Sequence, residues 1–115
     1  MKTLNDHTLE NVAAFLKCLG EPMRLRILRA LHDGERSVSE LIKDTGATQS
    51  NISKHLATLT WSHIVTARKK GTSTFYRIGD PNITAICDKV CRSIADRIRQ
   101  ESSTLKNIQK GVRSS

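Results

Sequence analysis

From Leu9 to Leu59 the apolar residues recur at three- and four-residue steps, and after His63 that period is lost. A chain satisfies such a pattern by packing several short helices and then switching to extended strands, so this change of period constrains the fold more than any other feature. Leu9, Val12, Ala13, Leu16 and Leu19 predict a first helix over residues 7 to 19, closed at Gly20. Glu21-Pro22 restarts the chain, because proline suits a first helical position, and Leu25, Ile27, Leu28 and Leu31 supply the buried face of a second helix that stops at Asp33-Gly34. Ser37-Val-Ser-Glu40 carries a hydroxyl at a cap and an acid three residues later, predicting a short third helix to about Asp44. Gly46 then turns the chain. Thr48 caps a fourth helix that turns Ile52, Leu56 and Leu59 to one side.

Residues 64–69 and 74–78 are rich in β-formers and flank Lys70-Gly-Thr-Ser73, which predicts a β-hairpin with a basic tip. Asp80-Pro81 opens a last helix with Ile83, Ile86, Val90, Ile94 and Ile98 along one side. Beyond about Gln100 the chain becomes polar and basic, through Lys106, Lys110 and Arg113, and either frays or continues the stripe with Leu105, Ile108 and Val112. The reading is therefore mainly α with a small β-hairpin wing: five helices forming a winged helix-turn-helix over residues 1–100, and a basic extension over 101–115.

Lysine and arginine total 19 against 11 acids, a net charge of +8, so the favoured partner is a polyanion, nucleic acid ahead of an anionic membrane. Gln49, Ser50, Asn51, Ser53 and Lys54 place short hydrogen-bonding groups on the outer side of the fourth helix, the part that meets base edges in a major groove. Arg68, Lys69 and Lys70 in the hairpin would meet phosphates or a minor groove, with an affinity that weakens as salt rises. Taken singly, the same residues describe a solvated helix face and a solubilising charge cluster. The order helix, turn, helix, basic hairpin in so basic a chain favours DNA. No apolar run approaches the ~18 residues that span a bilayer and Met1 to Asn11 lacks the apolar centre of a signal peptide, so the expectation is a cytoplasmic protein with no membrane partner. No glycine-rich phosphate loop or carboxylate pair suggests an enzyme.

The run LKCLGEPMRLRILRALHDGERSVSELIKDTGATQSNISKHLATL, with the wing RKKGTSTFYRI, resembles the ArsR/SmtB family of winged helix-turn-helix repressors over roughly residues 9 to 98. The resemblance rests on Leu19-Gly-Glu-Pro-Met-Arg-Leu-Arg-Ile-Leu28, Ser53-Lys-His-Leu56 and Phe75-Tyr-Arg-Ile78 together. It implies a homodimer joined through the first and last helices, binding a double-stranded operator from Thr48 onward and releasing it when an effector binds, with no obligate second protein. His55 matches a histidine common in such recognition helices; it is counted with the candidate DNA contacts, although packing is favoured over direct base contact as its role. Where relatives usually carry a short polar link ending in glycine before the wing, this chain has Thr60-Trp61-Ser62-His63, so the resemblance implies a left-handed position occupied by His63, less comfortably than by glycine. Trp61, the one tryptophan, reads as a core or interface residue ahead of a stacking platform.

The effector has to be sought among the three cysteines. The paired thiols that some relatives carry in the third helix would fall near Ile42 and Asp44, where there are none, and all four histidines (His7, His32, His55, His63) precede the last helix, where other relatives bind zinc. Cys87 and Cys91 share a face of the last helix, and the resemblance would allow Cys18 of either chain to approach them. Three thiolates suit trivalent arsenic or antimony, or a soft divalent ion such as cadmium, lead or mercury, with no cofactor otherwise required. The same thiols could instead respond to oxidants or reactive sulfur, although relatives that do so carry a helix-two cysteine absent here. Small buried cysteines packed in an apolar stripe are the third reading. Lys89 and Arg92, close to the pair, would lower a thiol pKa if they acted on it.

Overall fold

A computed structural model describes residues 1–114, with the side chains at 110 and 112–114 outside the described set. The order is α1 (Asp6–Leu19), α2 (Pro22–Leu31), β1 (Arg36–Ser37), α3 (Val38–Thr45), α4 (Gln49–Trp61), β2 (Val65–Lys70), β3 (Ser73–Ile78) and α5 (Pro81–Ser114). Five helices and a small antiparallel sheet agree with the sequence, and each helix begins or stops where its side chains dictate. Asn5 caps α1 through Thr8 N–H, and the Glu21 carboxylate accepts from the N–H groups of Met23 and Arg24 ahead of Pro22. Ser37 and Glu40 close a reciprocal capping box on α3, which satisfies two otherwise orphaned backbone donors. Gly46 ends α3 at φ 73°, a left-handed turn that leaves two residues before α4.

The sheet differs from the predicted hairpin by one strand. Its order is β1-β3-β2, with Arg36 opposite Tyr76 and Ser37 opposite Phe75, while Val65 to Lys70 runs against Ile78 to Ser73. Two residues carry no alternation, so β1 left no periodic signal and Ser37 read only as a cap. Only Gly71 and Thr72 separate the paired ends of β2 and β3, and Gly71 adopts φ 63°. At the other end of the hairpin a Cβ on Gly79 would lie 3.1 Å from Thr66 Cγ2 and 3.3 Å from the His63 carbonyl oxygen, so a side chain there would require its neighbours to shift by a few tenths of an ångström.

The chain divides into two compact units, Met1–Pro81 and the remainder. In the first, Ile27, Leu28 and Leu31 of α2, Leu41 of α3, Ile52, Leu56 and Leu59 of α4, and Ile64 and Val65 at the start of the wing make the core. Leu25 was expected in that core and is exposed, because it falls on the outer side of α2. Leu9 and Leu16 also face outward on α1. The second unit is helical throughout its described length: α5 has 34 residues, about 50 Å at 1.5 Å per residue, and does not fray after Gln100. Ile86, Val90, Ile94, Ile98, Leu105 and Ile108 are exposed along it. The suggested continuation of that stripe at Val112, and the side chains of Lys110 and Arg113, lie outside the described residues. Among the described residues no helix is long and apolar enough to cross a membrane.

Candidate nucleic-acid interface

The candidate recognition surface is built by α4. Thr48, with φ −76° and ψ 159°, holds the extended backbone of a cap, and its hydroxyl accepts from Asn51 N–H at 3.3 Å. That bond fixes the first turn. Ile52, Leu56 and Leu59 anchor the inner side in the core, so Thr48, Gln49, Ser50, Ser53 and Lys54 are left exposed and Asn51 half-exposed. The Thr48 and Ser50 hydroxyls lie 3.4 Å apart, while among the described residues the side chains of Gln49, Asn51, Ser53 and Lys54 make no hydrogen bond, which suits base reading.

His55 does not belong to this surface. It is 7% exposed and turned inward. Its Nδ1 accepts from Arg24 Nε at 3.3 Å, while Nε2 lies 3.6 Å from a Glu21 carboxylate oxygen. Arg24 also donates to the Cys18 carbonyl at 3.0 Å. A ring held on both sides by groups of α2 and its cap is turned away from the outer side of α4, so His55 is removed from the candidate DNA contacts and takes the favoured packing role: it ties α4 to the start of α2.

The wing places its three cations differently. Arg68 is exposed but engaged, donating from Nη2 and Nε to the two carboxylate oxygens of Glu35 at 2.6 and 3.2 Å. The same contact holds Glu35 below its ordinary value of 4.5, chiefly by hydrogen bonding with Arg68 and further by the charges of Arg68, Arg77 and Lys70. Lys69 and Lys70 are exposed at the end of β2, opposite Thr74 and Ser73, with no ion pair among the described residues. Glu35 escaped the sequence reading, since an acid 33 residues away from its partner leaves no local pattern.

His63 takes φ 60°, the left-handed conformation anticipated for it, and donates its backbone N–H to the Thr60 carbonyl at 3.0 Å. Trp61 is 87% exposed, which removes core packing from its expected roles.

The cysteines occupy two settings. The Cys18 thiol lies 2.9 Å from the Ser62 hydroxyl, at the residue that closes α4. Cys87 is half-buried and Cys91 exposed, one turn apart on α5. The Cys87 thiol is pushed above its ordinary value of 9.0 by burial first, then by the neighbouring Cys91 and Asp88. The lowering that Lys89 and Arg92 would have caused is therefore not realised at Cys87: their ammonium and guanidinium groups stay solvated while desolvation and two acidic neighbours dominate. Among the described residues no group of three or more His, Cys, Asp and Glu side chains is arranged to hold a metal ion.

This architecture has close relatives. The profile of the bacterial regulatory protein arsR family matches residues 21–66. Over 91 residues the chain is 40% identical to the uncharacterized HTH-type transcriptional regulator Rv0081 of Mycobacterium tuberculosis, spanning 75% of this chain and 80% of that protein. The crystal structure of Rv0081 superposes with a TM-score of 0.72 at 35% identity, covering 82% of this chain and 99% of that one. The homodimeric winged helix-turn-helix DNA-binding domain Mb0332 of Mycobacterium bovis superposes with a TM-score of 0.75 at 29% identity, covering 87% and 95%. A probable mercury resistance operon repressor of Streptomyces lividans is 34% identical over 74 residues, 64% of this chain and 59% of that protein. A family profile seated on the helix-turn-helix itself and a 40% identical regulator aligned over most of its length lead to one conclusion: the chain belongs to the arsR family of bacterial regulatory proteins and is a winged helix-turn-helix, DNA-binding transcriptional regulator.

Proposed function

We propose that the protein is a homodimeric repressor that reads a two-fold symmetric operator with α4 and releases it when a thiol-binding effector reaches Cys18, Cys87 and Cys91. The observation that carries the DNA half is the exposed run Thr48, Gln49, Ser50, Ser53 and Lys54 on a helix whose opposite side is locked into the core. Two copies are supported by the outward apolar residues of α1 and α5, Leu9, Leu16, Ile86, Val90 and Ile94, which need a partner to leave water, and by the homodimeric relative from M. bovis. Selection from a random duplex pool should enrich an inverted repeat bound at least ~1,000-fold above unrelated DNA. Enrichment of no symmetric sequence would reject the repressor reading.

The effector in this reading is a soft thiophilic ion: trivalent arsenic or antimony, or a soft divalent metal. Paired sulfurs one helical turn apart support it, and so does the S. lividans relative, a probable repressor of a mercury resistance operon. Cys18 offers a route to DNA affinity, because its thiol contacts Ser62, the residue that caps the end of α4. A raised Cys87 pKa weighs against the reactive-sulfur alternative, which needs a ready thiolate, whereas a metal ion displaces the proton as it binds. Replacing Cys87 and Cys91 by serine should preserve operator binding and abolish release by arsenite; release that persists in the double variant would contradict the assignment.

A further inference from the structure

We propose that the groove between the C-terminal half of α4 and the wing seats the sugar-phosphate backbone of the bound duplex, making Thr60, Trp61, His63 and Tyr76 DNA contacts in addition to the recognition residues and the wing lysines. The inference rests on the DNA-reading role proposed for α4. The groove encloses about 500 Å³ and is lined by Ala57, Thr60, Trp61, His63, Ala67 and Tyr76.

Its position continues the reading surface. Ser50, Lys54, Ala57 and Trp61 succeed one another at steps of four, three and four residues, so they form a single outward stripe of α4 that begins among the base-reading groups and ends in the groove. The second wall leads to the wing tip. Ala67 and Lys69 point to the same side of β2, and Tyr76 stands opposite Ala67 in register. A strand of DNA passing from the α4 stripe toward the wing lysines crosses this depression.

Its chemistry matches a phosphodiester. The polar groups of the lining are the Thr60 and Tyr76 hydroxyls, the Trp61 indole N–H and the His63 imidazole, each able to donate to a phosphate oxygen, and no carboxylate lines the groove to repel one. Among the described residues none of these four side chains is engaged in a hydrogen bond. Ala57 and Ala67 contribute only methyl groups, which permits a deoxyribose to approach closely. The exposure of Trp61 is then explained: an amphipathic ring with one N–H, standing 87% in water, is a surface awaiting a partner that is apolar on one side and polar on the other.

The test uses the full chain, in which Trp61 is the sole tryptophan and therefore the sole indole fluorophore. A dye-labelled operator duplex, saturated as judged by anisotropy, should at least halve the quenching of Trp61 by acrylamide. Trp61→Phe and Tyr76→Phe should each weaken binding by roughly two- to ten-fold, the worth of one net hydrogen bond. The loss should be equal for operator and unrelated duplexes, and the slope of log K against log salt should not move, because uncharged donors release no counterions. Unchanged quenching at demonstrated saturation overturns the groove assignment and leaves the α4 reading intact. Quenching already low in the DNA-free protein overturns it too, by showing the groove covered by a second copy. Failure of the labelled duplex to bind at all removes the α4 reading and this inference with it.

Discussion

At residue scale, the pairing of Arg68 with Glu35 has consequences that can be measured on the wing. Their contact depresses the Glu35 pKa below 4.5 in the folded protein, so its stabilisation is complete above that pH and fades as the pH falls through the lower, folded value. Glu35→Gln should therefore flatten the acid side of a melting-temperature profile below pH ~4.5 while changing neutral stability little, since Arg68 is exposed and Glu35 only half-buried. The freed guanidinium should also raise affinity for every duplex and steepen the salt slope by about one unit. His55 supports the opposite kind of prediction. Because the ring is inside, His55→Ala should lower thermal stability by about 1–3 kcal/mol and leave the DNA selectivity of the folded fraction unchanged. Sequence placed His55 on α4 and favoured packing without settling it: the residue sits one position from Leu56 and three from Ile52, at the border of the apolar stripe, where the partners Arg24 and Glu21 decide which way a histidine faces.

The elements were legible wherever a side chain both caps and spaces. Ser37 with Glu40, Pro22, Thr48 and Pro81 mark helix starts in the sequence, because each satisfies or removes a backbone donor that helix geometry leaves unpaired, and Gly46 marks a helix end, where its N–H donates to the Ile42 carbonyl from a left-handed turn. What lacked a period was missed. Strand β1 spans only Arg36 and Ser37, and its existence depends on β3 arriving from far along the chain. Ser37 thus serves two elements at once, capping α3 and pairing with Phe75. Ser37→Ala should cost about 1 kcal/mol through the lost cap, measured by denaturant unfolding, and an unaltered midpoint would show that the cap is dispensable. The exposed end of α4 was equally hard to foresee: Trp61 read as packing because tryptophan usually buries, and the groove beside it is formed with residues of both wing strands.

For the whole molecule, the charge of +8, the helix-turn-helix and the basic hairpin pointed to DNA before any coordinates, because electrostatics and periodicity are properties of the chain itself. The effector was not legible to the same degree, since sulfur spacing along one helix does not distinguish a metal ligand from a packed thiol. The raised Cys87 pKa offers a handle on that question: the midpoint of its alkylation rate against pH should lie above 9.0, where an ordinary thiol is half ionised, and a midpoint at or below 9.0 would mean that burial does not govern it. The central claim, that α4 presents a base-reading surface, is tested most directly by competition between the selected operator and unrelated duplex for the Ser53→Ala, Lys54→Ala double variant. Both side chains are exposed, so the fold should be unaffected and the preference for operator should collapse toward that of a non-specific binder. A preference equal to that of the unaltered protein would contradict the account.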